Sequence, residues 1–327
     1  MDQIIRHLKN SKHVLLATHI NPDGDALGSM IAMGLSLDLL NKKTTLYNES
    51  AIPTMYHFLP SVDRIVRKIN NADSHDTAIV LDCGNTQRIG KLAATVSKIP
   101  CIINIDHHVF NIAFGNFQMT DSSACATSEI IYRLIKKMAV PINKDIATAI
   151  YTGILTDTGS FRFSNTNKNA FAICNEMIEM GVDPYDVARQ VYETYSFGRI
   201  KLLNMALDSI EISHNGKLSM MAITKDMFEK TASQPEYING LINYAKSIKN
   251  IEIAVLIQEV MNNNMDNNKE SDNTTQFHVS LRSSGTVDVA AIASSFGGGG
   301  HTSAAGFSIE STLSDLKARI IDLAEEL

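Results

Sequence analysis

The stretch "HVLLATHINPDGDALGSMIAMGLSLDLL", residues 13–40, decides the fold. Its first part, "HVLLA", is an apolar run that predicts a buried strand. Pro22 and Gly24 then break regular structure and predict a turn. The last part, "ALGSMIAMGLSLDLL", has the periodicity of a helix. The stretch therefore predicts a strand, a loop and a helix, which together are a building unit of α/β folds.

Three potential metal ligands, His19, Asp23 and Asp25, lie in or beside the predicted loop. In open α/β sheets, ligands bind beyond the carboxyl ends of the strands. A single Asp at such a place is also a common cap of the helix that follows. Taken alone, the loop therefore leaves both metal binding and helix capping open.

The same alternation continues along the chain. Further strands are predicted at "TTLYN", "TAIVLD" and "CIINID", and helices at "SEIIYRLIKKM", "DIATAIYTGILTDTGS" and "NKNAFAICNEMIEMG". Apolar strands alternating with amphipathic helices predict an α/β domain with a doubly wound, mostly parallel sheet. We assign this N-terminal domain to residues 1–185.

The pattern changes after residue 185. Residues 186–210 have helical character without a strand signal, which predicts a helical connector. Asn215-Gly216 then lies between alternating runs and predicts a hairpin, and "IEIAVLIQEV" and "FHVSLRS" predict two more strands. Residues 211–327 are therefore expected to form a second, smaller α+β domain. Its Asn-rich segment 262–276 is expected to be a solvated loop.

Composition limits the classes of function. The chain has 327 residues and a formal net charge of −6, which argues against a broad basic face for duplex DNA but not against a short fragment in a local pocket. No apolar run approaches the ~20 residues of a membrane span, so we expect a cytoplasmic protein without a membrane partner. The four cysteines form no CxxC pair and are expected to be reduced, mostly buried thiols.

More Asp and His residues follow other predicted strands and one helix. They are Asp82 in "IVLDCGN", Asp106, His107 and His108 in "IINIDHH", and Asp157 in "YTGILTDTGS". Because parallel strands deliver their carboxyl ends to one edge of the sheet, these side chains can converge with the first loop. Carboxylates and imidazoles together suit Mn²⁺, with Mg²⁺ or Co²⁺ as alternatives. The four negative charges of Asp23, Asp25, Asp82 and Asp157 favour two divalent ions, because carboxylates without counter-charges would repel each other.

The stretch "SFGGGGHTSAAGFS", residues 295–308, is the other informative segment. Its glycines expose backbone N–H groups and "TSAAG" could open a helix, an arrangement that suits an anion. A flexible linker is the alternative. Arg282 in "SLRSSG" could be a second anion contact or an exposed hairpin residue. The candidate substrate-binding residues are Arg282, Gly298, Gly299, Gly300, His301, Thr302 and Ser303.

Five motifs in this order, "HINPDGDALGS", "LDCGN", "DHH", "TDTGSFRFSNT" and "GGGGHTSAAG", resemble the DHH phosphoesterase superfamily. The last one is similar to the DHH-associated domain of the RecJ-like branch. The resemblance implies a phosphoesterase, and the two-domain length is similar to stand-alone oligoribonucleases that also dephosphorylate 3′-phosphoadenosine 5′-phosphate (pAp). A phosphodiesterase for dinucleotides such as pApA or pGpG and a catalytically silent nucleotide-binding regulator remain alternatives.

The resemblance also implies roles for individual residues. One ion would be held by His19, Asp23 and Asp82, and the other by Asp25, Asp82, His107 and Asp157. Asp106 would orient the neighbouring histidines and His108 would face the substrate phosphate, so these two are the catalytic candidates. Two such ions would activate a water for attack on phosphorus. The implied partners are short single-stranded RNA or small nucleotides, and whether the protein forms a homodimer is left open.

Overall fold

The computed structural model describes residues 1–69, 74–260 and 275–325. The chain divides into two compact units, Met1–Thr194 and Tyr195–Leu327. Within the described ranges, every helix is too short or too polar to cross a membrane. The Asn-rich segment predicted to be a loop lies almost wholly outside the described residues.

The first unit is built on a six-stranded sheet in the order β3-β2-β1-β4-β5-β6, with every neighbouring pair parallel. Its strands are β1 (His13–Ala17), β2 (Lys43–Tyr47), β3 (Ile65–Val66), β4 (Thr77–Leu81), β5 (Cys101–Asp106) and β6 (Phe117–Thr120). The four predicted strands and the mostly parallel sheet are confirmed. The sequence did not predict β3 and β6, because these short edge strands lack a continuous apolar run.

Helices cover both faces of this sheet. They are α1 (Asp2–Asn10), α2 (Gly24–Leu39), α3 (Ala93–Val96), α4 (Thr127–Lys137), α5 (Lys144–Asp157), α6 (Lys168–Glu179) and α7 (Pro184–Tyr192). Side chains that alternate along the strands enter two different apolar clusters. Leu16 and Ile79 belong to the larger cluster, whereas Leu15 and Val80 belong to the other. Burial on both faces is the reason these strands read as continuous apolar runs.

The strand order reverses between β1 and β4. The chain runs from β1 to β2 on one side of this pair and from β4 to β5 on the other. At such a switch point the connections leave in opposite directions and open a crevice at the carboxyl ends of the two strands, where ligands of α/β proteins bind. His19 follows β1 and Asp82 follows β4, so both lie at this crevice.

The second unit carries a mixed six-stranded sheet in the order β11-β12-β10-β9-β8-β7. Only β8 and β9 pair in parallel among its described strands. Its elements are α8 (Phe197–Asp208), β7 (Glu211–Ile212), β8 (Leu218–Ile223), α9 (Lys225–Thr231), α10 (Ile242–Lys246), β9 (Ile253–Glu259), β10 (Thr275–Ser283), α11 (Val289–Ser295), β11 (Gly299–His301), β12 (Ala304–Ser311) and α12 (Leu313–Glu325). The predicted hairpin is confirmed, since β7 and β8 are antiparallel and Gly216 has φ 71° in the turn. The segment 186–210, predicted as a helical connector, falls on α7 and α8.

The helix predicted to begin at "TSAAG" is wrong. Residues Ala304–Ser311 form β12, which pairs with β10 along its length and with β11 at its start. Ala305 and Phe307 are buried on one face, so the segment alternates as a strand does. A Cβ atom on Gly298 would overlap the carbonyl oxygen of Gly306, which shows why the glycine run allows this close backbone approach.

Helices α2 and α5 pack very closely beside the crevice. A Cβ atom on Gly28 of α2 would overlap the carbonyl oxygen of Ala149 on α5. The absence of a side chain at Gly28 therefore sets the distance between the two helices. These helices carry Asp25 and Asp157, so their spacing also sets the distance between two candidate ligands.

We predict that Gly28→Ala lowers the free energy of unfolding by about 1–3 kcal/mol, as overpacking of a core does. Gly34→Ala on the same helix is the matched control. Its Cβ would lie 3.3 Å from the flexible side chain of Leu46, so the higher helix propensity of Ala should leave stability unchanged or raised. Urea denaturation followed by circular dichroism measures both variants, and equal midpoints for the two would contradict the packing argument.

Candidate metal centre

Asp82 lies at the centre of the candidate site. It follows β4 directly and is almost completely buried, at 2% exposure. Its backbone has φ 55°, a left-handed conformation that few non-glycine residues adopt, and its N–H donates to the carbonyl of Ile105 at 3.0 Å. The bond to β5 holds this turn, so the Asp82 carboxylate projects into the crevice with one oxygen toward each side.

His19 approaches Asp82 from the β1 side. Its Nδ1 lies 2.8 Å from the carbonyl oxygen of Ile20, which can only accept, so Nδ1 carries a proton. Its Nε2 then faces Oδ2 of Asp82 at 3.5 Å and Oδ2 of Asp23 at 3.9 Å. Both distances exceed those of a good hydrogen bond. In the neutral imidazole, a lone pair would therefore face two carboxylates.

Asp23 caps α2 with one oxygen and leaves the other free for the ligand role that the first loop also suggested. Its Oδ1 accepts from the backbone N–H groups of Asp25 and Ala26, at 3.1 Å and 2.9 Å, and so caps α2. Its Oδ2 faces His19. Helix capping and ligand binding are therefore compatible here, because each uses a different oxygen of the same carboxylate.

His107 approaches Asp82 from the opposite side. Its Nε2 lies 3.5 Å from Oδ2 of Asp157 and 3.7 Å from Oδ1 of Asp82. Its Nδ1 is 3.4 Å from the carbonyl oxygen of Ala124, which orients the ring in the same sense as that of His19. Asp25 completes this group and is fully buried, at 1% exposure.

Asp106 contacts His108. Its Oδ1 lies 2.6 Å from Nδ1 of His108 and also accepts from the His108 backbone N–H at 3.2 Å. Its Oδ2 accepts from the side-chain amide of Asn111 at 2.6 Å. Asp106 is itself completely buried, so these bonds fix the imidazole ring of His108 relative to the sheet edge.

All eight predicted residues of the first unit meet at this edge. Three groups each offer ligand atoms within 4.8 Å of one another: His19, Asp23 and Asp82; Asp25, His107 and Asp157; and Asp82, His107 and His108. The candidate substrate-binding residues lie in the second unit. There Arg282 is in β10 opposite Ala304, and the glycine run leads into β11.

Burial and mutual repulsion disfavour the charged form of two carboxyl groups. Burial and the charge of Asp82 raise the pKa of Asp25 to about 7. Burial and the charge of Asp25 raise the pKa of Asp157 well above its usual range. Without added positive charge, the site therefore holds more carboxylates than it can keep ionised.

For the imidazoles, in contrast, the surroundings favour the charged form. Burial by itself would lower the pKa of His19, but the nearby negative charges of Asp82 and Asp23 raise it to about 9. Burial would also lower the pKa of His107, but the charges of Asp157 and Asp82 outweigh this effect and raise it to about 9. Burial would raise the pKa of Asp82, and its histidine neighbours hold it below the usual range.

These observations fit a site for divalent cations. The carboxylates repel each other, and the Nε2 atoms of His19 and His107 point at carboxylate oxygens from distances too long for good hydrogen bonds. Protons on the imidazoles or cations between the groups would both relieve this repulsion. Oxygen and imidazole donors are the set that Mn²⁺ and related ions accept. The four cysteines offer no competing thiolate set, since all are free and buried.

Sequence reasoning missed two asparagines that support the site. Asn165 donates from Nδ2 to Oδ2 of Asp157 at 3.1 Å and to the carbonyl of Cys125 at 2.8 Å. Asn111 supports Asp106, as described above. Asn165 lies within the motif "TDTGSFRFSNT" and Asn111 follows "DHH" closely, but an Asn in a loop is too common to signal such a role.

Comparisons with known proteins agree with this architecture. Residues 13–154 match the DHH family, N-terminal domain, and residues 222–327 match the DHHA1 domain. A Thermus thermophilus protein named bifunctional oligoribonuclease and PAP phosphatase NrnA is 29% identical over 96% of this chain and 89% of its own. A Bacillus subtilis protein of the same name is 28% identical over 94% of this chain and 93% of its own.

A solved structure is similar over the whole chain. It is an exopolyphosphatase-related protein from Bacteroides fragilis, with a TM-score of 0.89 and 26% identity, and the match covers 99% of this chain and 95% of that one. The two family matches occur in the order of the two compact units and include most of each. This chain therefore carries a DHH-family N-terminal domain followed by a DHHA1 domain.

Proposed function

We propose that this protein is a metal-dependent phosphoesterase that hydrolyses short oligoribonucleotides and pAp. The observation that carries the proposal is the buried Asp82 carboxylate between His19 and His107, at the switch point of the sheet. The names of the Thermus thermophilus and Bacillus subtilis relatives, which match nearly their full lengths, support the choice of substrates.

The proposal assigns two metal ions to the site. His19, Asp23 and Asp82 would hold one, and Asp25, Asp82, His107 and Asp157 the other, with Mn²⁺ favoured over Mg²⁺ or Co²⁺. When bound, such ions polarise phosphoryl oxygens and lower the pKa of water. The groups of ligand atoms within 4.8 Å support this assignment: His19, Asp23 and Asp82 form one group, Asp25, His107 and Asp157 form another, and Asp82 lies with His107 in a third.

His108 would act on the phosphate with its own proton. Asp106 accepts from Nδ1, which leaves Nε2 as the atom that would meet a phosphoryl or leaving oxygen. Burial would lower the pKa of His108, but the hydrogen bond to Asp106 and the charges of Asp82 and Asp106 raise it. A protonated imidazole stabilises negative charge on phosphoryl oxygens and can protonate the leaving oxygen. Asp106 would keep the ring in the required orientation.

The second unit would capture the rest of the nucleotide. Arg282 supplies a positive charge, and its Nη1 donates to the carbonyl of Leu281 at 2.9 Å. Gly298, Gly299, Gly300, His301, Thr302 and Ser303 would add backbone and side-chain donors. Contacts with remote parts of a substrate position the reacting phosphate as well as increasing affinity.

The setting would be the cytoplasm, where thiols stay reduced, which agrees with the four free cysteines. A net charge of −6 disfavours duplex DNA as a partner, since duplex binding depends on neutralising many phosphates.

The function is tested by measuring hydrolysis of pAp, pApA and RNA of two to seven nucleotides, with Mn²⁺ and with Mg²⁺. We expect turnover of pAp and short RNA that disappears after EDTA treatment and dialysis and returns with Mn²⁺. Full activity in excess EDTA would contradict the metal assignment. Turnover of pApA alone would replace the proposed substrates with linear dinucleotides.

Asp82→Asn and His108→Gln should fail in different ways. Asp82→Asn should lose Mn²⁺ binding and activity by more than the roughly 10–100-fold that outer-shell residues cost. His108→Gln should keep its metal content and lose kcat, because the proposal places His108 on the phosphate. Metal analysis, steady-state kinetics and circular dichroism separate the two. Metal lost from a folded His108→Gln variant would contradict its role.

Arg282→Ala should separate substrate capture from chemistry. We expect weaker binding and slower turnover of dinucleotides, with nearly unchanged hydrolysis of bis-p-nitrophenyl phosphate, a small ester that does not need the remote contacts. The control is wild-type turnover of the same ester. Equal loss of rate on both substrates would place Arg282 in the reacting centre instead.

A further inference from the structure

The amino end of α4 contacts two carboxylates of the candidate metal centre. The backbone N–H of Thr127 donates to Oδ2 of Asp25 at 2.6 Å, and that of Ser128 donates to Oδ1 at 2.9 Å. The hydroxyl of Thr127 donates to Oδ1 of Asp82 at 2.9 Å. Thr127 therefore touches two candidate ligands that come from two different elements of the fold.

Asp25 serves α4 as a helix cap from a distance. The residue before the helix is Ala126, whose side chain cannot accept a hydrogen bond, and the first N–H groups of a helix have no partner within it. Asp25, 102 positions away from Thr127, supplies the missing carboxylate. The positive end of the helix dipole favours a negative charge at this place. Each oxygen of Asp25 accepts one amide, so its plane is defined.

The Thr127 hydroxyl helps to fix the plane of the Asp82 carboxylate. Its acceptor, Oδ1, is the oxygen that faces His107 and His108, whereas Oδ2 faces His19. The terminal torsion of an Asp side chain is broad, so a carboxylate needs external contacts to hold one plane. Thr127 is completely buried, at 0% exposure, and its bond to a charged acceptor belongs to the stronger class of hydrogen bonds.

We propose that Thr127 is a positioning residue, whose hydroxyl orients the Asp82 carboxylate for metal binding while its amide holds Asp25. This inference rests on the proposed function, because it assumes that these carboxylates are metal ligands. A side chain that only filled space at the start of α4 would not need the hydroxyl. Metal affinity therefore distinguishes positioning from packing.

The test compares residue 127 with and without its hydroxyl in the full chain. Thr127→Val keeps the branched shape and removes the hydroxyl, Thr127→Ala also removes the bulk, and Thr127→Ser retains the hydroxyl. Thr152→Val is the matched control. Thr152 is equally buried in α5, but its hydroxyl donates to the carbonyl of Thr148 on its own helix at 2.8 Å.

Each variant is stripped of metal and titrated with Mn²⁺ by calorimetry, with melting temperatures of the metal-free forms measured in parallel. Thr127→Val and Thr127→Ala should bind Mn²⁺ about 10–100-fold more weakly, as expected when an outer-shell contact is lost. Thr127→Ser and Thr152→Val should bind like the wild type. Using both Val and Ala keeps the comparison possible if one of them does not fold.

Wild-type affinity in Thr127→Val or Thr127→Ala would overturn the inference, even if the melting temperature fell. Equal losses of affinity in Thr152→Val would overturn it too, because the effect would then be general to buried threonines. A wild-type protein that binds Mn²⁺ but cleaves no nucleotide would overturn the proposed function instead. The affinity comparison would still decide the role of Thr127.

Discussion

The site depends on one buried negative charge, the carboxylate of Asp82. Removing a charge from water is costly unless other groups compensate it. Asp82 is only 2% exposed, so its carboxylate has almost no contact with water. His19, His107 and His108 surround it, and Thr127 donates to it. Its left-handed backbone is a strained position that its bond to β5 helps to maintain. Local strain and buried charge therefore meet at the residue that joins the two proposed ion sites.

The helices around this charge are arranged by close contacts. Gly28 lets α2 approach α5, and those helices present Asp25 and Asp157 to the same space. Asp25 in turn accepts the first amides of α4, which ties α2 to α4. Packing and chemistry are thus carried by the same residues: a change at Asp25 removes a proposed ligand and also a helix cap.

In the second unit, the candidate substrate-binding residues lie around a sheet edge instead of in a cluster of charged groups. Its glycine run lies at the edge of a sheet, where β11 pairs only with β12 among the described strands. Such an edge leaves backbone donors without a strand partner on one side, and the proposed nucleotide contacts would use these donors. Arg282 in the adjoining β10 adds one cation.

The sequence by itself determined four of the six strands of the first sheet and the Asp and His residues that follow them, because apolar runs and turn residues are local signals. Only the tertiary structure decided which carboxylate oxygen faces which imidazole, and that Thr127, Asn111 and Asn165 support them. Partners such as Thr127 and Asp25, 102 positions apart, leave no local pattern. The start of β12 was likewise predicted as a helix, because Ala and Gly favour no strand locally and pairing with β10 and β11 selects one. Contacts between distant segments outweigh local preference wherever that preference is weak.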